Sequence, residues 1–182
     1  MAAAIVFAAV FVLSFTVVPG LFGNRANQDR VINTGDPDNG ATHVAAGIAG
    51  GPYSLRPATS GSHWNTAPTT VAPVGAPARW GTYEQVLPDE VLVHNLEHGG
   101  IGLHYNCPEQ GGCPQLVQQL AGLIPASHSQ FILSPYPNMD TRIAVTAWRE
   151  HLYLDEFDEQ AIRNFIEQYI DRAPESIRGN QF

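Results

Sequence analysis

The fold is decided by the stretch Ile143-Ala144-Val145-Thr146-Ala147-Trp148-Arg149-Glu150-His151-Leu152-Tyr153-Leu154 and the helical pattern that follows it. β-Branched and apolar residues predict a strand over 143–148 and a short partner strand over 152–154, with the turn at Arg149-Glu150. From Asp158 to Arg172 apolar residues recur at helical spacing, and Pro174 stops the helix. A hairpin followed by an amphipathic helix indicates a sheet on which that helix packs.

Upstream of this stretch the sequence predicts strands over 91–94 and 101–105, a helix over 114–123 and a strand over 131–133. The expected fold class is therefore α+β, with a small mixed or antiparallel sheet and helices packed on one side. The order of the later elements also allows a thioredoxin-like arrangement.

The chain divides into four segments by composition. Residues 1–23 are almost wholly apolar and predict one N-terminal transmembrane helix, which we interpret as a retained anchor rather than a cleaved signal peptide. Residues 24–42 are polar and turn-rich and predict a linker. The domain is expected over 43–176, including a long irregular but ordered stretch, and 177–182 form a C-terminal tail.

Two sequence patterns disagree on which side of the membrane the domain lies. Arg25 and Arg30 come after the apolar run and no basic residue precedes it, which taken alone favours a cytoplasmic domain. Cys107 and Cys113 have five residues between them, which favours a disulfide loop in an oxidising compartment over free thiols or a metal-binding thiol pair. With seven histidines in the chain, we expect a single-pass protein of the cell membrane with its domain on the extracytoplasmic, periplasmic side.

The charge balance bears on the partners of the protein. The formal net charge is −8, and all nine basic residues are arginines that form no cluster. Because phosphate contacts need clustered cations, nucleic-acid binding is not expected.

The segment His94-Asn95-Leu96-Glu97-His98 has the His-x-x-Glu-His pattern of some zinc peptidases. That chemistry needs the segment to be helical. The β-branched residues before it and Gly99-Gly100 after it favour an extended or turning backbone instead. In a strand, His94 and His98 still share a face, and Glu97 is left to orient a ligand histidine from outside.

Two further segments carry metal-type side chains. His63 is flanked by Trp64 in an irregular loop, and Met139, the only internal methionine, lies in a proline-rich loop. A thioether is a soft ligand that suits Cu(I), whereas imidazole suits copper, zinc, iron or nickel. His43, close to the linker, is a reserve ligand.

Together these motifs resemble the bacterial domain of unknown function numbered 3105. The resemblance is carried, in order, by 60–64, 81–83, 93–100, 135–139, 146–148 and the end of the last helix, and covers roughly 43–175. Its members resemble single-anchor extracytoplasmic proteins, and the family implies no reaction. Because its hallmark segments hold His63, His94, His98 and Met139, the resemblance implies these four as metal ligands, with Glu97 and Trp64 around them.

Three functions are compatible with this sequence. The first is copper binding, with delivery or assembly at a respiratory or photosynthetic membrane complex; zinc is the alternative ion. The second is a structural or interaction subunit without metal. The third is a zinc-dependent hydrolase that uses Glu97 as its base. An enzyme is the less favoured interpretation.

Overall fold

The computed structural model describes residues 31–110, 112–127 and 129–176. Their regular elements, in chain order, are β1 (Val31–Thr34), β2 (His43–Val44), β3 (His63–Trp64), β4 (Gly81–Thr82), α1 (Asp89–Glu97), β5 (Ile101–Tyr105), α2 (Pro114–Ala121), β6 (Phe131–Pro135), β7 (Ile143–Ala147), β8 (Glu150–Leu154) and α3 (Glu159–Tyr169). The predicted α+β class is confirmed.

Within the described residues, six strands form one mixed sheet in the order β1-β8-β7-β5-β6-β4. β4, β5 and β6 run parallel to one another, whereas β7, β8 and β1 extend the sheet by antiparallel pairing. β2 and β3 form a separate parallel pair. The unit from β5 to α3 is a β–α–β crossover, a hairpin and a helix, and no helix joins β6 to β7 among the described residues. The thioredoxin-like arrangement stays a prediction.

Helices cover both faces of the sheet. Side chains alternate between the faces along each strand, so neighbouring residues show what packs on each face. Leu133 and Val145 point to the face that packs with α2 and α3. Their neighbours Ile132 and Ala144 belong to a second apolar cluster that includes Leu92 of α1. The prediction that all helices pack on one side is therefore wrong. The central strands are buried on both faces, and near-continuous apolar runs are the sequence pattern of such strands, so these runs indicated a second covered face.

The segment predicted as a strand over 91–94 is part of helix α1, so that prediction is also wrong. Pro88 precedes the helix in an extended conformation, and Asp89 and Glu90 place negative charge in its first turn, where the helix dipole favours it. Every residue from 91 to 97 is buried. Burial of Val91 and Val93 outweighs the weak helix propensity of β-branched residues.

The segment predicted as a linker contributes to the folded unit. β1 pairs antiparallel with β8 at the edge of the sheet, and Asp36 is buried against His151, with its Oδ1 2.8 Å from the histidine Nδ1. The predicted anchor over 1–23 and the predicted tail over 177–182 lie outside the described residues. None of the helices that the described residues form has the length and apolar content needed to cross a bilayer.

The predicted pairing of the two cysteines is confirmed. A disulfide joins Cys107 to Cys113, whose Cα atoms are 5.6 Å apart. Cys113 is the residue that precedes α2, and it packs at the edge of the core under α2 and α3. The bond therefore ties the end of β5 to the start of α2.

Candidate metal centre

β2 and β3 place two histidines side by side. The two strands are parallel, and their register pairs His43 with His63 and Val44 with Trp64. Directly paired residues project to the same side of a sheet, and the two imidazole rings meet with their centroids 4.8 Å apart. A strand pair of only two residues each thus brings together histidines twenty positions apart.

Helix α1 adds a third histidine and a carboxylate to this pair. The ring centroid of His94 lies 5.0 Å from that of His43 and 4.8 Å from that of His63. Glu97, one turn further along α1, directs its Oε2 to within 2.9 Å of His63 Nε2 and 3.4 Å of His43 Nε2. The potential ligand atoms of these four residues all lie within 4.8 Å of one another. We call this group the His3Glu cluster.

Two of the histidines are held in the orientation that metal ligands use. Nδ1 of His63 lies 2.8 Å from the carbonyl oxygen of Gly61, and Nδ1 of His94 lies 2.5 Å from that of Trp64. A carbonyl oxygen can only accept, so each Nδ1 carries the hydrogen and donates it. Nε2 of each ring is left as the nitrogen available to an ion, and such carbonyl contacts are the usual support of a ligand histidine.

The protonation state of His94 suits metal binding. The pKa of His94 is lowered to about 4, chiefly by burial; the bond to the Trp64 carbonyl opposes this shift, and the neighbouring His63, His98 and His43 add to it. Near pH 7 the ring is therefore neutral and its Nε2 lone pair is free to coordinate.

His63 presents a different situation, because both of its nitrogens face acceptors. Nδ1 donates to Gly61, and Nε2 faces a carboxylate oxygen of Glu97 that is itself almost fully buried. Two lone pairs facing each other in a buried site need a cation between them, either a proton or a metal ion. The His3Glu cluster supplies three nitrogens and one oxygen to that position.

His98, predicted as a ligand, lies beside the His3Glu cluster and not in it. It follows the last residue of α1, and its ring stacks on His94 with centroids 4.9 Å apart. Its Nδ1 is buried without a hydrogen-bond partner among the described residues and lies 3.9 Å from Glu175 Oε2.

Met139 and Trp64 are both buried in the apolar cluster beneath α1, together with Val91 and Tyr136. The backbone carbonyl of Met139 accepts a hydrogen bond from Asn106, and the indole nitrogen of Trp64 donates to the Ile48 carbonyl. Trp64 thus supports the site through its own carbonyl bond to His94. The role of Met139 as a ligand stays a prediction.

Sequence reasoning placed His43 in reserve and Glu97 outside the ligand set, whereas the structure brings both into the His3Glu cluster. The helical backbone explains Glu97: at three residues from His94 it lies on the same side of α1. Pro88-Asp89-Glu90 is a helix-start signal that could have revealed this. No sequence signal pairs His43 with His63.

The protein is therefore a mixed α+β domain in which three histidines and a buried glutamate lie close enough together to hold a metal ion. This makes it a candidate metal-binding domain. The chain belongs to the family described as protein of unknown function (DUF3105), whose model matches residues 50–180. The resemblance inferred from the motifs is thereby confirmed. The match includes His63, His94 and Glu97, while His43 precedes it. No curated protein and no solved structure matches the chain.

Proposed function

We propose that this protein binds one divalent transition-metal ion, copper(II) or zinc(II), through His43, His63, His94 and Glu97. The observation that carries the proposal is the pair of buried histidines whose Nδ1 atoms donate to backbone carbonyls and whose Nε2 atoms are left for an ion beside a buried carboxylate. Three imidazoles and a carboxylate are borderline-to-hard donors, so they favour Cu(II) or Zn(II) over Cu(I). Between these two, Cu(II) binds more tightly to a given set of nitrogen and oxygen ligands.

The proposal extends to the location and role of the protein. The apolar segment 1–23 and the Cys107–Cys113 disulfide support a domain tethered on the extracytoplasmic side of the cell membrane. A site in which all four ligands come from the protein suits storage or delivery more than catalysis. Delivery to a respiratory or photosynthetic complex stays a prediction.

Metal content tests the proposal directly. The full chain, purified in detergent without a metal-affinity tag, is offered Cu(II), Zn(II) and Cu(I) in turn, and bound metal is measured by elemental mass spectrometry and titration calorimetry. We expect about one Cu(II) or Zn(II) per chain, with affinity lowered about 100-fold or more by Glu97→Gln or His94→Ala, a loss of about 2.7 kcal/mol.

Two matched variants complete that experiment. His98→Ala removes a histidine beside the His3Glu cluster and Met139→Leu removes the predicted thioether, and both should keep Cu(II) and Zn(II) affinity close to that of the unaltered chain. Selective loss of Cu(I) binding in Met139→Leu would instead favour the copper site with a methionine ligand. Retention of no ion under any condition would overturn metal binding and leave the structural or interaction role.

A second candidate function, zinc-dependent hydrolysis, gains from one observation. The His-x-x-Glu-His segment is helical up to Glu97, and His94 and His98 stack one turn apart, as that chemistry requires. The contact of Glu97 with His63 opposes it, because a general base must be free to take a proton from water. Zinc-loaded protein assayed on peptide, ester and phosphoester substrates decides: turnover abolished by Glu97→Gln would support hydrolysis.

A further inference from the structure

The four residues of the His3Glu cluster differ sharply in their exposure to solvent. The side chain of His63 is fully buried and that of Glu97 is 3% exposed, whereas the side chain of His43 is 38% exposed. His94 is also buried. One histidine therefore closes an otherwise buried set of ligands on its solvent side.

The four residues also differ in how firmly they are held. His63 and His94 each donate to a backbone carbonyl, and the carbonyl of Glu97 accepts from the backbone N–H of Glu175 at 3.0 Å. Among the residues that the structure describes, the hydrogen-bond contact of His43 Nδ1 is a 3.4 Å approach to the exposed side-chain amide of Asn65. His43 can therefore rotate away at smaller cost than the other ligands, because the buried Glu97 Oε2 that loses its 3.4 Å contact with His43 Nε2 keeps its 2.9 Å contact with His63 Nε2.

Exchange of a bound ion requires that one ligand leave before or while a new one arrives. Departure of His63 or His94 would leave a buried N–H and a buried carbonyl without partners, which costs about 1–3 kcal/mol for each group. Departure of His43 opens one coordination position that faces water and leaves three ligands in place. Ion exchange therefore has the lowest free-energy cost when His43 is the ligand that leaves.

We propose that His43 is the exchangeable ligand through which the ion is loaded and transferred to an acceptor that offers nitrogen or oxygen donors. This inference rests on the proposed metal binding by the same site. His63, His94 and Glu97 form the permanent part of the site, and His43 sets how long the ion stays. His43 therefore controls the rate of ion release more than the number of ions bound.

Release kinetics test this division. The full chain in detergent is loaded with one equivalent of Zn(II) and mixed in a stopped-flow instrument with excess metallochromic chelator. We expect His43→Ala and His43→Gln to retain about one ion per chain yet release it at least about tenfold faster, since differences in affinity between related complexes lie mostly in the dissociation rate. His98→Ala is the matched control, and its release rate should stay within about threefold of the unaltered chain.

The outcomes separate the two proposals. If the His43 variants retain the ion and release it at the original rate, or if they lose it entirely as folded His63→Ala is expected to do, His43 is not the exchangeable ligand, although metal binding stands. If the unaltered chain retains no Zn(II) or Cu(II), metal binding itself fails and the inference falls with it. Circular dichroism of each variant confirms that the comparison is made between folded chains.

Discussion

His104 is the fourth residue of β5, fully buried, on the sheet face that α1 covers. Its Nδ1 is 3.1 Å from the hydroxyl of Ser134, whereas its Nε2 and the hydroxyl of Thr146 have no hydrogen-bond partner among the described residues. A Cβ on Gly102 would come within 2.4 Å of both of these atoms. Glycine at 102 therefore leaves room for a buried histidine that must remain neutral.

This histidine makes the stability of the fold depend on pH. Burial lowers the pKa of His104 from its ordinary value of 6.5 to about 3. Between these values the unfolded chain binds one more proton than the folded chain, so stability is full above pH 6.5 and falls as the pH drops below it. The expected slope from this group is about 1.4 kcal/mol per pH unit.

Replacement of His104 by glutamine removes that proton. We measure the free energy of unfolding of metal-free His104→Gln and of the unaltered chain with urea between pH 6 and pH 4. As the pH is lowered, we expect this free energy to fall less steeply in the variant, and the two slopes to differ by about 1.4 kcal/mol per pH unit. The variant is less stable at pH 7, where Ser134 loses its partner. Equal slopes for the two chains would show that His104 is not the responsible group.

At the scale of elements, the sequence is most informative where one face of an element is exposed. α3 was predicted over 158–172, because its apolar stripe alternates with polar residues at helical spacing, and the structure has it over Glu159–Tyr169, with the Asp158 side chain accepting from Ala161 N–H. β5, β6 and β7 were predicted from runs of β-branched and apolar residues. α1 was missed because the short apolar run Val91-Leu92-Val93 fits a strand as well as a helix, and because the polar side of α1 is itself buried.

The candidate site was predicted in part for a related reason. His63 and His94 lie in segments with recognisable motifs, and both belong to the His3Glu cluster. His43 joins it only through the two-residue pair β2–β3, whose register depends on tertiary contacts and leaves no pattern in the chain. Glu97 was assigned to the wrong side of its segment because a strand period was applied where a helical period holds.

The disulfide acts at the junction of β5 and α2. It closes a loop with a sequence separation of 6 between Cys107 and Cys113, for which loop-closure entropy predicts a contribution of about 2 kcal/mol. We expect the free energy of unfolding of the double variant Cys107→Ser, Cys113→Ser, measured with urea, to be lower by about 2 kcal/mol. Metal affinity should be unchanged, because neither cysteine belongs to the His3Glu cluster. A change in metal stoichiometry would contradict this separation.

At the scale of the whole molecule, the His3Glu cluster joins segments that are far apart in the chain. β2, β3 and α1 each contribute ligands, and the segment after α3 closes on the end of α1 through bonds from Asp171 N–H to the Gly99 carbonyl and from Glu175 N–H to the Glu97 carbonyl, both 3.0 Å. An ion bound to the cluster therefore connects the irregular N-terminal half to the sheet. Only the folded chain can assemble this set of ligands.

Metal binding should accordingly stabilise the whole domain. With free Zn(II) at 100 times its dissociation constant, we expect the free energy of unfolding to rise by about 2.7 kcal/mol. Thermal melts with Zn(II), and with Zn(II) followed by a chelator, measure this rise and its reversal. In Glu97→Gln, with about 100-fold weaker affinity, the free energy of unfolding should rise by about 0.4 kcal/mol or less at the same free Zn(II); a rise of equal size in that variant would place the stabilising ion elsewhere.

The position of β1 at the edge of the sheet limits how far the domain can move. β1 begins at Val31 and is fastened along β8, so only residues 24–30 remain between it and the proposed anchor, and seven residues span at most about 25 Å. Under the proposed anchoring, these residues would connect the membrane to the domain at the sheet edge formed by β1. Given that anchoring, this short connection favours metal acceptors that are themselves fixed to the membrane over ones that diffuse freely.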